Sequence, residues 1–288
     1  MGGSFLITLR EGLEAGLIVA IILAYLKSTN QRAQFRTVFI AAVTAVAVSL
    51  VVGAAIFAVA GEFEGRAAEA FEGLAMLVAV GVLSWMIVWM KRQSAGIRKT
   101  LEHDLAEAVG MGSVFALALI PFSAILREGL ETAVFLFAAT RTATPFESTV
   151  GATAGILFAI GLSWGIYSGG YRLNLRVFFN VTGVLLIILA GGLLVNGLEE
   201  LHEARVISNL GPHVWDTYNT LPDNSHLGRY LSTILGYDSS PYLGQVAAYV
   251  TYLALAFGFF ALGRGRPVAV TSRPPVPEPR PELSSDQG

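Results

Sequence analysis

Leu9-Arg10-Glu11-Gly12-Leu13-Glu14-Ala15 lies inside an apolar run over residues 4–26, and Leu126-Arg127-Glu128-Gly129-Leu130-Glu131-Thr132 repeats it inside a second run, 113–139. Each run is long enough to cross a membrane, since a hydrocarbon core about 30 Å thick takes about 20 helical residues. Each copy also brings three ionisable side chains, and a charged residue at the centre of a spanning helix costs at least ~2.5 kcal/mol on insertion scales. Charge in such a place needs a partner, a cavity or a ligand, so the two copies set both the fold class and the search for function.

The rest of the chain agrees with an all-α polytopic membrane protein. Of 288 residues 54% are hydrophobic and 14% charged, where a soluble domain carries about 25% charged. Five further apolar runs cover residues 38–60, 71–90, 150–167, 177–198 and 244–262, giving seven expected spans. The first has no basic stretch before it and is too long for a signal sequence, so it is expected to stay in the mature protein. The formal net charge of −2 points to neither nucleic acid nor a polybasic membrane anchor. With no cysteine, disulfides and thiolate metal sites are excluded, and five methionines argue against a thioether copper path.

Basic residues alternate between connections. Lys27, Arg32 and Arg36 follow the first span, Lys91, Arg92, Arg98 and Lys99 the third, Arg172 and Arg176 the fifth, and Arg264 and Arg266 the seventh. The second connection has Arg66 among Glu62, Glu64 and Glu69, and the fourth only Arg141. The positive-inside rule therefore puts the N-terminus outside and the C-terminus in the cytoplasm. Trp85 and Trp89, just before Lys91, fit an aromatic anchor at the inner interface. The expected membrane domain covers residues 1–263. Within it, 199–243 is a long outer connection outside the bundle, with a short amphipathic helix near 227–235. Residues 264–288 read as a disordered, proline-rich cytoplasmic tail.

The motif copies fall in spans one and four, which run in opposite directions. Spans 1–3 and 4–6 are thus an expected inverted-topology repeat with a seventh span added, an arrangement that puts a transport site at the repeat interface. On a helix Glu11 and Glu14 share a face, as do Glu128 and Glu131, and each arginine reaches the glutamate four positions on. Two facing clusters hold four carboxylates and two guanidiniums, net −2, and favour a cation. Carboxylate oxygen is a hard ligand, leaving iron, manganese, magnesium, calcium or a proton. The alternative reading is structural, with the Arg-Glu pairs simply locking helices together.

Secondary candidates are weaker. Glu72, at the outer end of span three, is either a further wall of the ion path or a solvated helix-start glutamate. Glu199, His202 and Glu203 share a helical face after span six and could capture an arriving metal, or form an ordinary polar cap. Glu62, Glu64 and Glu69 raise the local cation concentration. His213 and His226 read as solvated loop histidines, and His103, with Glu102, Asp104 and Glu107, as part of a mixed-charge surface helix. An enzyme is disfavoured, because there is no nucleophile motif, no metal-histidine arrangement and no aspartate in any span.

The paired R-E-x-x-E motifs resemble the oxidase-dependent iron transporter family, which holds the fungal high-affinity iron permeases and the bacterial Efe-type ferrous iron permeases. Phe71-Glu72-Gly73, Ser84-Trp85-Met86, Trp89-Met90, the run 169–175, His202-Glu203-Ala204 and Gly236-Tyr237 add to the likeness, which covers residues 1–262 and is nearer the bacterial branch. The resemblance implies an iron permease of the bacterial inner membrane, with iron as transported substrate and no resident cofactor. It implies Glu11, Glu14, Glu128 and Glu131 as metal-binding groups, Glu72 along the path, and Arg10 and Arg127 as supporting ion pairs. A separate extracytoplasmic protein would oxidise or deliver the iron, as Fe2+ or Fe3+. Transport of another divalent cation such as Mn2+ and a non-transporting anchor for periplasmic iron-handling proteins are the alternatives.

Overall fold

The computed structural model describes residues 1–93, 97–141, 144–168, 175–223 and 225–262. Its helices are α1 (Gly2–Ser28), α2 (Phe35–Ala60), α3 (Arg66–Gln93), α4 (Ile97–Gly110), α5 (Val114–Arg141), α6 (Pro145–Tyr167), α7 (Leu175–Glu203), α8 (His226–Leu235) and α9 (Leu243–Leu262). Among the described residues there is no strand, only one isolated bridge between His213 and Tyr242. Each of the seven expected spans falls on a helix, and the helices outrun the predicted ends because their polar first and last turns remain helical. The expected tail lies outside the described residues, as does most of the run 169–175.

Local chemistry fixes several ends. Thr144 caps α6 by accepting the Glu147 N–H at 3.3 Å, and Pro145 follows where a missing N–H costs nothing. Ser225 caps α8 in the same way through the Gly228 N–H at 2.9 Å. Gly236 ends α8 at φ +67°, where a side chain would be strained, and its N–H returns to the Ser232 carbonyl at 2.9 Å. Pro121 sits inside α5, six residues before Arg127, and removes one helical donor there.

Among the described residues five helices are long and apolar enough to cross a membrane: those over Arg32–Ala60, Arg66–Trp89, Pro145–Tyr167, Val177–Glu203 and Leu243–Ala261. The other two long helices, α1 with 27 residues and α5 with 28, carry the motif charges. Large apolar side chains point outward along α2 (Phe39, Val43, Leu50, Val51) and α6 (Leu157, Phe158, Trp164). In water these would be a liability over two whole helices; in lipid they are the solvated surface. The chain is a polytopic membrane protein.

The helices pack mainly as α1 on α6, α2 on α5 and α3 on α7, with α1 also against α5. Exchanging α1 with α5, α2 with α6 and α3 with α7 returns the same pairs. Small residues make the close approaches. A Cβ on Gly12 would lie 2.9 Å from the Ala159 Cβ, and one on Gly16 2.7 Å from the Ser163 Cβ. Across the other pair, a Cβ on Gly129 would lie 2.6 Å from the Ser49 Cβ, and one on Gly53 3.3 Å from the Ala133 Cβ. One sequence spacing relates Gly12 to Gly129 and Gly16 to Ala133, and a second relates Ser49 to Ala159 and Gly53 to Ser163. The correspondence therefore extends well past the motif. Where α3 crosses α7, a Cβ on Gly73 would meet the Gly197 carbonyl oxygen at 2.8 Å, and one on Gly197 the Gly73 oxygen at 3.2 Å.

One buried cluster lies between α3, α5 and α7 (Met76, Leu83, Phe135, Leu186, Leu193). A second gathers Ile22 and Leu26 of α1, Val38 of α2, Leu105 of α4 and Leu117 of α5, so α4 covers the end of the bundle where α1 ends and α5 begins.

The connection between α7 and α9 departs from expectation. Its helix forms where predicted, yet α8 is not outside the bundle: it packs on α7 and α1. A Cβ on Gly192 would lie 2.9 Å from the Gly236 nitrogen, so two glycines bring backbone against backbone. Gly192 is eleven residues before the end of α7, about 16 Å along it at 1.5 Å per residue. The connection returns by pairing Val214 N–H with Pro241 O at 3.0 Å and Thr217 N–H with Ser239 O at 2.8 Å.

Candidate metal centre

α1 and α5 bring the two motif copies together in the buried centre of the bundle. Arg10 is 2% exposed, Glu11 1%, Glu14 8% and Glu128 2%. Arg10 donates through Nη1 to Glu11 Oε1 at 2.8 Å, and its Nη2 lies 3.0 Å from Glu14 Oε1 in an ion pair short of hydrogen-bond geometry. The same Nη1 lies 3.1 Å from the sulfur of Met86 on α3. On α5, Arg127 pairs closely with Glu128 through Nη2 and donates through Nε at 3.1 Å, while Glu131 stays 3.8 Å from that Nε. The expected pairing four positions on is thus tight in the α1 copy and loose in the α5 copy.

Three carboxylates converge. Glu11, Glu128 and Glu131 each offer an oxygen, all within 4.8 Å of one another. Two oxygens on one ion at ~2.1–2.4 Å lie at most ~4.2–4.8 Å apart, so the three stand within the range from which small side-chain shifts bring them onto one hard cation. Glu11 Oε2, Glu128 Oε2 and Glu131 Oε2 are buried and accept no hydrogen bond. Buried oxygens are almost always satisfied, and an orphan on each of three convergent carboxylates fits a cation. Glu14 is outside this group, although its Oε1, 3.0 Å from Arg10 Nη2, is likewise buried without a hydrogen bond. The sequence placed four equivalent carboxylates at the interface, and the fold gathers three of them.

The second-rank candidates separate from this centre. Glu72 follows Phe71, whose ring packs on Phe63 at 5.1 Å and on Phe137 at 5.9 Å. Phe137 is six residues beyond Glu131 on α5, about 9 Å at 1.5 Å per residue, and Glu72 is outside the group of three carboxylates. Of its neighbours, Glu62 and Glu64 are exposed, while Glu69 buries one carboxylate oxygen. Glu199 and Glu203 do not join His202 in a convergent group; the His202 Nδ1 lies 2.9 Å from the Ile207 carbonyl, and its ring meets Tyr242 edge-on at 5.0 Å. His213 engages the Ser240 carbonyl through Nδ1 at 2.5 Å and packs on Tyr242. The His226 side chain lies outside the described residues, and His103 is exposed on α4. Near His213, burial holds the Asp238 carboxyl above the usual aspartate range, against the Ser240 N–H that it accepts at 2.8 Å.

Sequence reasoning missed what holds the arginines. Met86 and Trp89 are three positions apart on one face of α3; the sulfur meets Arg10, and the Trp89 ring lies 5.2 Å from the Arg127 guanidinium carbon. Trp89 also stacks with Trp85 at 6.1 Å. Trp89 thus packs on a motif arginine as well as standing near Lys91. A tryptophan three residues after a methionine, in the apolar run between the two motif copies, was the available signal, and it is a weak one.

Residues 1–265 match the Iron permease FTR1 family. The chain is 35% identical to the ferrous iron permease EfeU of Yersinia pestis over 260 residues, covering 90% of this chain and 92% of that one. It is 36% identical to the ferrous iron permease EfeU of Escherichia coli O157:H7, and likewise to that of Shigella sonnei, covering 90% of this chain and 94% of each relative. No solved structure matches the chain. With the match running through both motif helices and every apolar helix, the chain belongs to the FTR1 iron permease family.

Proposed function

We propose that the protein carries iron, as Fe2+, across the bacterial inner membrane into the cytoplasm, binding it at Glu11, Glu128 and Glu131. The observation that carries the site is the orphan oxygen on each of these buried, convergent carboxylates. Family membership supports iron as the cargo, and the relatives named ferrous iron permeases support the Fe2+ state. Arg10 and Arg127 hold the carboxylates and limit their mutual repulsion when no cation is bound.

All seven long helices cross the membrane in this reading, α1 and α5 included, with the N-terminus outside. Helices of 27 and 28 residues are about 40 Å long, ample for a ~30 Å core. The alternation of basic connections supports the orientation, and the exchange symmetry of the helix pairs supports an inverted repeat. Alternate exposure of the site then follows from rocking one half against the other. Glu69 and Glu72 collect iron near the outer surface, and a separate extracytoplasmic protein delivers it.

Uptake by purified protein in liposomes tests the proposal, with iron supplied in parallel as Fe2+ with ascorbate and as chelated Fe3+. Uptake of Fe2+ that falls at least about tenfold in Glu128→Gln is expected, as for loss of a metal-site group. Uptake from the Fe3+ arm alone would overturn the oxidation state. Full activity of Glu128→Gln would overturn the site, and Mn2+ taken up in preference to Fe2+ would overturn the cargo.

A further inference from the structure

The two motif copies have identical sequences from Leu9 to Glu14 and from Leu126 to Glu131, yet their side chains are held differently. In the α1 copy the arginine is sealed. Arg10 is 2% exposed, each prong of its fork faces a carboxylate, and the Met86 sulfur closes one end at 3.1 Å. Withdrawing it would strand two buried carboxylates, a change that low-dielectric surroundings resist. In the α5 copy the arginine is open. Arg127 is 44% exposed, holds Glu128 closely, and reaches Glu131 only at 3.8 Å. It already lies against the Trp89 ring, and an indole face holds a guanidinium without a carboxylate's help.

The ligands divide in the same way: two come from α5 and one from α1, with Glu14 outside the group and facing the Arg10 Nη2 at 3.0 Å. We propose that the α1 copy is a fixed frame whose Arg10 withholds Glu14 from the ion, while the α5 copy supplies two ligands and a movable counter-ion, Arg127, which shifts from Glu128 onto Trp89 as the cation enters. The inference rests on the triad being the ion site. Arriving positive charge replaces the guanidinium at Glu128, so the cluster is never left with all its carboxylates uncompensated. Met86 and Trp89 are the positioning residues, one for each arginine, offered by a single face of α3.

The division is read from Mn2+ binding, by electron paramagnetic resonance on the full chain in detergent, together with Fe2+ uptake in liposomes. Glu14 and Glu131 occupy equivalent positions in the repeat. Glu131→Gln is expected to weaken Mn2+ at least about tenfold and Glu14→Gln by less than about threefold. Equal losses would overturn the proposal while leaving the carboxylate site standing. Wild-type Mn2+ affinity in both Glu11→Gln and Glu131→Gln would instead remove the site itself. Trp89→Leu is expected to slow maximal Fe2+ uptake several-fold, with Mn2+ affinity within about twofold of wild type, and Trp89→Phe, which keeps an aromatic face, to recover most of the rate. Affinity and rate falling together in Trp89→Leu, or Trp89→Phe no better than leucine, would overturn the role of Arg127. Size-exclusion profiles of each variant separate these outcomes from misfolding.

Discussion

The α1 and α5 copies of one motif show how far identical local sequence can diverge in tertiary surroundings. Arg10 is enclosed and binds both of its glutamates; Arg127 is half-open, binds one closely and rests on an indole ring. The helices that bear them are nearly equal in length, and the motif glycines play parallel parts, each admitting a small residue of the partner helix. The difference comes from α3, which passes the two arginines at different points of one face, with a sulfur at one and a ring at the other. Two identical motif copies thus meet in an asymmetric site because α3 sets Met86 against one arginine and Trp89 against the other.

The largest test of this contrast is to delete each arginine. Arg10→Ala strands Glu11 and Glu14 and should destabilise the detergent-solubilised protein by about 3–5 kcal/mol, as for breaking a buried ion pair. Arg127→Ala strands Glu128, removes only a loose 3.8 Å pairing with Glu131, and should cost clearly less. Thermal unfolding of the two variants reads the difference, and equal shifts would erase the distinction between the copies.

A smaller effect sharpens the parallel between the two helix pairs. Gly129→Ala puts a Cβ 2.6 Å from that of Ser49, and overpacking of this kind costs about 1–3 kcal/mol. Adding Ser49→Gly should restore most of the stability, since a glycine then faces an alanine as Gly12 faces Ala159. If the double variant is no more stable than Gly129→Ala alone, the two crossings are not equivalent.

The smallest expected effect lies in the connection between α8 and α9. Burial raises the Asp238 carboxyl above its unfolded range, so the folded connection favours the protonated form. That contribution is fully present below the unfolded value, about 3.9, and is lost as pH rises through the folded value. Asp238→Asn keeps an oxygen for the Ser240 N–H and carries no charge, so its melting temperature should gain on wild type as pH rises from 4 to neutrality. A difference that shrinks over the same range would contradict the assignment.

Much of the fold was legible because lipid imposes a simple rule: apolar runs of sufficient length become helices. All seven runs did so, and even the short helix at 226–235 was signalled by its own periodicity. The contact of α8 with α7 was not legible, since Gly192 and Gly236 are far apart in sequence and glycine is common in membrane helices. Nor was the depth of the repeat. Gly16 against Ser163 and Gly53 against Ala133 correspond by being small, and four small residues leave no mark in a linear comparison.

By itself the sequence determined that one charged motif recurs in two long apolar runs, that its carboxylates outnumber its guanidiniums, and that a hard cation suits them. Those conclusions depend on residue identity and spacing along single helices, which a chain carries with it. Only the tertiary structure decided which carboxylates meet. Glu11, Glu128 and Glu131 converge and Glu14 does not, because which carboxylates meet depends on how α1 and α5 pack against each other, which no single helix carries in its own sequence.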